Sequence, residues 1–200
     1  MFCGSTVSHE SEIYSALTAV LRRLRMRSRL SPSTIYTYLA FVAGCATSPH
    51  VAPPEVPTVL QPPAGQILYL EALATGVQIY ECAQKTDLTY EWAFKAPEAS
   101  LVSRSGHPLG KHYAGPTWES IDGSTVVGVI KARDPGPKNS AIPWLLLAAK
   151  ATTGAGTFGT TKSIQRVATV GGIAPAEPCA SSNLKQVAKV PYKATYYFYR

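Results

Sequence analysis

Gly76-Val-Gln-Ile-Tyr-Glu-Cys82 is the stretch whose reading decides the fold. Successive side chains of a strand point to opposite faces. Val77, Ile79 and Glu81 therefore share one face, and Gln78, Tyr80 and Cys82 share the other. Thr89-Tyr-Glu-Trp-Ala-Phe94 repeats the alternation, with Tyr90, Trp92 and Phe94 opposed to Glu91, and Pro97 is expected to end it. Upstream, Gln66–Leu73 has enough apolar character for a strand, although its Leu and Ala content leaves a helix open. Downstream, Glu98–Val102, Lys111–Ala114 and Pro116–Ser120 read as short extended segments, and Asp122-Gly123 is a turn signal. Ser124-Thr-Val-Val-Gly-Val-Ile-Lys-Ala132 has the composition of a central strand. Ile142–Lys150 fits either a helix with Pro143 at its first position or a buried strand, and its brevity favours the strand. Ser163–Val170 and the aromatic Tyr192–Arg200 complete the series. In the terminal segment, one of the pairs Tyr196/Phe198 and Tyr197/Tyr199 is expected inward, the other exposed or at an edge. Short strands between Gly- and Pro-rich turns predict an all-β, single-domain antiparallel β-sandwich or closed β-barrel with short connecting loops. Periodicity does not choose between the two.

The N-terminal part has a different character. Arginines 22, 23, 25, 27 and 29 precede a stretch from Leu30 to Ala43 that ends in Val42-Ala43-Gly44-Cys45. A basic segment, an apolar segment and small residues before a cysteine look like a bacterial export signal with a lipid-accepting cysteine. The expected organisation is a leader over 1–44, with Met26 as an alternative start. A Pro-rich tether over 45–65 and a β-domain over 66–200 follow. Two readings compete: plain secretion without lipid attachment, and an amphipathic leader helix from Ser11 to Arg29 followed by an ordinary buried Cys45. The apolar stretch is too short and polar for a membrane-spanning helix.

Cys82 and Cys179 remain in the expected mature domain, and no Cys-x-x-Cys occurs. In an oxidising compartment they are expected to form a disulfide, rather than a redox or metal pair. The chain carries a net charge of +7. Five of its 19 basic and two of its 12 acidic residues belong to the leader, which leaves +4 scattered over the rest. Without a basic block, a nucleic-acid role has no support.

Chemistry is densest between His107 and Asp122. His112, Trp118 and Glu119, with Arg166 from a later apolar strand, are the candidate pocket residues, and Arg166 is a candidate salt-bridge partner for Glu119 or Asp122. The alternative is structural: His112 bonds locally and Trp118 packs in the core. His112, Glu119 and Asp122 offer an imidazole and two carboxylates, but without the spacing of a zinc helix, so no metal is assigned. Glu119 and Asp122 as a carboxylate pair, or His112 with Ser120 or Ser124, would frame a hydrolase, yet no nucleophile-elbow motif surrounds them. Gly154-Ala-Gly-Thr-Phe-Gly159 lacks the Lys-Ser/Thr ending of a phosphate loop and is expected to connect strands.

Gly110-Lys-His-Tyr-Ala-Gly-Pro-Thr-Trp-Glu119, Asp122-Gly-Ser124, Ile142-Pro-Trp-Leu-Leu-Leu147, Gln165-Arg166, Thr169, Gly171-Gly172 and Cys179 together resemble the DUF3455 family of uncharacterised, mostly exported proteins. Leu60–Gly65 and Gly76–Cys82 fit the same pattern, so the resemblance spans about residues 58–199. It implies an all-β fold and no established reaction. No dinucleotide fingerprint is present and no cofactor is expected. The functional expectation is an exported β-domain, lipid-anchored at Cys45 to the membrane in the periplasm or at the cell surface, with a binding or structural role. A small molecule or a glycan is the expected ligand, and oligomeric state is left open. The alternative is a hydrolase acting on cell-envelope or extracellular polymer.

Overall fold

The computed structural model describes residues 51–200. The leader over 1–44 and Cys45 lie outside the described residues. Eight strands follow one another: β1 (Leu68–Gln84), β2 (Tyr90–Val102), β3 (Pro108–Tyr113), β4 (Thr117–Ser120), β5 (Thr125–Asp134), β6 (Trp144–Thr153), β7 (Ser163–Gly171) and β8 (Val187–Tyr199). Each pairs antiparallel with the next, and β8 returns to β1, so the sheet closes into a barrel. Of the two expected architectures the barrel is the one formed. Closure gives every strand two neighbours and removes the exposed edges an open sheet must protect.

The strands are longer than the sequence suggested. Segments 66–73 and 76–82 are one strand, β1, because Gly76 permits a close approach instead of breaking the run. A Cβ on Gly76 would sit 2.0 Å from the Glu98 carbonyl oxygen of β2. Pro97 likewise does not end β2. That strand pairs with β3 only from Ala99 to Val102, so around Pro97 only the β1 side carries a ladder. A bulge opposite Ile79/Tyr80 takes up the extra residue and bends the pair.

The barrel interior is filled by size matching. Ala72, Ala74 and Ala99 leave room for Trp118, Tyr196, Phe198 and Leu147, all buried. Tyr196 and Phe198 point inward as one of the two expected pairs. Tyr197 and Tyr199 are buried too, which departs from the expectation. They pack outside the barrel with Leu68 and Val167, against Val51, Val56 and Trp144. The cover comes from the Pro-rich segment. Leu60, in the short turn Thr58–Leu60, is fully buried, and its carbonyl accepts a 2.7 Å hydrogen bond from Gln165 Nε2. The part of the expected tether from Val51 to Leu60 is thus a docked strap. Apolar Val51, Val56 and Leu60 supply the reason, since they gain by leaving water along with the tyrosines they cover.

The two barrel ends are closed differently. At the β4–β5 end, Phe158 from the β6–β7 loop is fully buried, with its ring 4.8 Å from that of Phe198. The Gly/Thr loop is therefore the plug of that end. Asp122 fastens it, accepting from Thr157 N at 2.8 Å and from Thr157 Oγ1 at 2.7 Å. At the opposite end the β7–β8 connection folds over β1 and β2. Cys179 is bonded to Cys82 as expected, with Cα atoms 5.4 Å apart, and Trp92 Nε1 donates to the Glu177 carbonyl at 2.8 Å. Among the described residues, no helix is long and apolar enough to cross a membrane.

Candidate functional site

Strand lengths create an opening in the barrel wall. β3 and β4 are short, so β2 is paired to β3 only through Ala99–Val102, and β5 to β4 only through Thr125–Val127. Beyond those residues the first half of β2 and the second half of β5 face each other without an intervening strand. A cavity of about 290 Å³ lies there, walled by Phe94 and Pro97 from β2, Ile130 from β5 and Leu145 and Leu147 from β6. A second chamber of about 340 Å³ shares Phe94, Ile130, Leu145 and Arg166 with it and reaches Gln78 and Tyr80. Phe94 and Ile130 are exposed at the rim.

His112 and Trp118 stand side by side on paired strands and both point inward. Their rings stack at 4.3 Å between centroids, and Tyr196 meets each ring edge-on. His112 Nδ1 donates to the Thr117 carbonyl at 2.8 Å, which leaves Nε2 as the acceptor nitrogen of the neutral ring. Burial pushes the imidazole pKa down to about 3, the nearby Arg166 charge adds to that, and the Thr117 bond opposes it. His112 is thus an uncharged, packed ring, a weak base at neutral pH.

Arg166 projects from β7 into the junction of the two chambers. Its Nε and Nη2 donate to the Pro143 carbonyl at 3.1 and 2.8 Å. It does not pair with Glu119 or Asp122, contrary to the sequence expectation. The alternation of β4 explains why: Trp118 inward puts Glu119 outward. There Glu119 pairs with Lys111 at 3.2 Å and accepts from Tyr113 OH at 2.8 Å, and these two neighbours lower its pKa. Asp122 sits at the plugged end. Hydrogen bonds from the side chains and amides of Ser124 and Thr157 hold its carboxyl well below the usual carboxylate range.

The structure therefore brings together His112, Trp118 and Arg166 and leaves Glu119 outside the cavity. The hydrolase constellations are dispersed. Ser124 Oγ donates to Asp122 and accepts from Phe158 N at 3.0 Å, while Ser120 Oγ accepts from Asp122 N at 3.4 Å, so neither serine is paired with His112. Among the described residues, no group of three or more His, Cys, Asp or Glu side chains is arranged to hold a metal ion.

Several buried polar atoms lack a hydrogen-bond partner: Trp118 Nε1 and Tyr196 OH on residues of the first chamber, Gln78 Nε2 on a residue of the second, and the OH of Tyr192, which neighbours Tyr196 and Gln78. Tyr196 OH lies near both Arg166 and Tyr192 without hydrogen-bond geometry to either. Buried polar groups are nearly always satisfied by protein or ordered water, so such a cluster is exceptional. Sequence reading reached His112, Trp118 and Arg166 but not Gln78, Tyr192 and Tyr196 as site residues. The available signal was a glutamine on the Tyr80/Cys82 face of an otherwise apolar strand.

A family model described as a protein of unknown function, DUF3455, matches residues 63–200. No curated protein and no solved structure matches the chain.

Proposed function

Since the chain belongs to the DUF3455 family, whose function is unassigned, we propose from its geometry that it is an exported small-molecule-binding barrel. The ligand enters through the gap between β2 and β5. The observation that carries this reading is the set of unpartnered buried polar atoms beside an apolar-walled cavity. Pockets that bind small molecules combine apolar walls with a few aimed polar groups, and about 290 Å³ is near the lower end of their range. The test is mass spectrometry of small molecules retained by the purified full chain, beside Leu145→Trp. The indole would fill the space Leu145 shares between both chambers. A compound held by the unaltered protein and lost from the folded variant supports the reading. Equal retention by both sinks it.

Export and lipid attachment belong to the same proposal. The Cys82–Cys179 disulfide suits an oxidising compartment, and the Arg-rich leader ending at Cys45 supports acylation. The docked strap sharpens what the anchor would do. Val51 already packs on the barrel, so only the chain from Cys45 to Val51 spans the gap to the lipid, at most about 20 Å fully extended. The barrel would ride close to the bilayer instead of on a long tether. Cys45→Ser should abolish lipid labelling and release the protein from membranes; unchanged labelling would reject the anchor. No observation favours the hydrolase alternative.

A further inference from the structure

The class of ligand follows from the charge and hydrogen-bond character of the cavity, on the reading that it binds a small molecule. We infer that the ligand is a small monocarboxylate with an apolar body, its carboxylate on Arg166 and Tyr196 and its body against Leu145, Leu147 and Phe94.

Four observations converge. The residues lining the two chambers include the cations Lys95, Arg133 and Arg166 and no Asp or Glu. Lys95 is an exposed rim residue, 3.7 Å from Glu81, and Arg133 is also exposed. Both are placed to draw anions toward the opening. Arg166 alone lies at the junction, and among the described residues no carboxylate is within ion-pair distance of it. The Pro143 carbonyl takes Nε and one Nη2 hydrogen. The Nη1 group and the other Nη2 hydrogen remain, side by side, which is the edge that grips a carboxylate in two-pronged fashion.

The unpartnered atoms have matching character. Trp118 Nε1 and Gln78 Nε2 are donors only, and the hydroxyls of Tyr192 and Tyr196 donate as well as accept. Gln78, Trp118, Tyr192 and Tyr196 are each at least 98% buried. A pocket for a cation or for a donor-rich sugar would aim mostly acceptors inward; here His112 Nε2 is an acceptor on the lining, outnumbered by the free Arg166 edge and the donors of Trp118, Gln78, Tyr192 and Tyr196. The single inner guanidinium balances one negative charge. A phosphate dianion would leave a second charge among neutral groups, and desolvating an unbalanced charge is costly. The walls exclude a fully polar ligand, since Leu145, Leu147, Phe94, Pro97 and Ile130 offer it nothing to bond.

The experiment is calorimetric titration of the purified full chain with 4-phenylbutyrate, 4-phenylbutan-1-ol and phenyl phosphate. The first two share a body and differ in the head. The expected result is that 4-phenylbutyrate binds at least ten-fold tighter than the alcohol and tighter than phenyl phosphate. Arg166→Met should erase the preference for the acid while leaving alcohol binding within about three-fold. Tyr196→Phe should weaken only the acid, by several-fold, which keeps the test informative if Arg166→Met fails to fold. Equal affinity for acid and alcohol, or a preference that survives in folded Arg166→Met, overturns the carboxylate assignment and leaves the cavity reading standing. Tighter phenyl phosphate binding overturns it in favour of a phosphate ligand. No heat from any probe, or binding unchanged in folded Leu145→Trp, overturns both.

Discussion

Acidification from pH 7.5 to pH 5 is expected to weaken the fold by about 2 kcal/mol through His112 alone. The ring is buried and neutral in the folded protein, with its pKa lowered to about 3 from an ordinary value of 6.5. A histidine of depressed pKa contributes stability that is fully present above the unfolded value. That stability is lost as pH falls, because the unfolded chain takes up a proton the folded one refuses. The loss starts near pH 6.5, proceeds at about 1.4 kcal/mol per pH unit and levels off once the folded ring also protonates near pH 3. One and a half units of that slope give about 2 kcal/mol at pH 5. The groups facing His112 are Trp118 and Tyr196, with the Arg166 charge nearby, and none of these changes charge in this window. Guanidinium unfolding followed by tryptophan fluorescence at pH 7.5, 6 and 5 measures the slope. His112→Phe keeps the stack on Trp118 but cannot titrate. It loses about 1–2 kcal/mol at pH 7.5 by leaving the Thr117 carbonyl unpaired, and its stability then changes about 2 kcal/mol less than the wild type between pH 7.5 and 5. Parallel pH profiles for the two proteins would refute the reasoning, since His112 would then be charged or solvated in the fold.

Reduction of the Cys82–Cys179 bond, which spans 97 residues, should lower stability by roughly 2–4 kcal/mol, read as a shift in melting temperature on adding reductant; no shift would mean the β7–β8 connection is held without it. Gly76→Val should cost roughly 2–3 kcal/mol or prevent folding, because its Cβ would lie 2.0 Å from the Glu98 carbonyl oxygen; circular dichroism melts with wild-type stability would show that β1 and β2 do not cross so closely. Asp122→Ala should speed amide hydrogen exchange at Ser124 and Thr157, whose amides each donate to its carboxylate at 2.8 Å; unchanged exchange would show the plug is held by Phe158 packing alone.

Local pattern carried the fold class well. Alternation in Gly76–Cys82 and the β-branched and aromatic content of 124–132 and 192–200 act over a few residues, and they lie in β1, β5 and β8. Strand ends were less legible. Gly76 and Pro97 are breakers by local rule, yet each lies within a strand, because a neighbouring backbone decides whether they are tolerated. The same limit governed the site. His112 and Trp118 could be grouped from their closeness in sequence, but Glu119 followed them only on paper, since its side chain lies on the other surface of β4.

By itself the sequence determined an all-β chain, a Cys82–Cys179 pair able to bond, and the presence of an arginine in an otherwise apolar strand. These follow from side-chain chemistry and the period of two, which are properties of neighbours along the chain. Only the tertiary structure decided that the sheet closes as a barrel, that Val51–Leu60 is a strap over Tyr197 and Tyr199, and that Arg166 meets Tyr196 beside an open cavity. Those depend on which distant strands pair and how far each ladder runs. Shortness of β3 and β4 opens the wall, and that shortness becomes a gap only when β2 and β5 are longer than the strands between them.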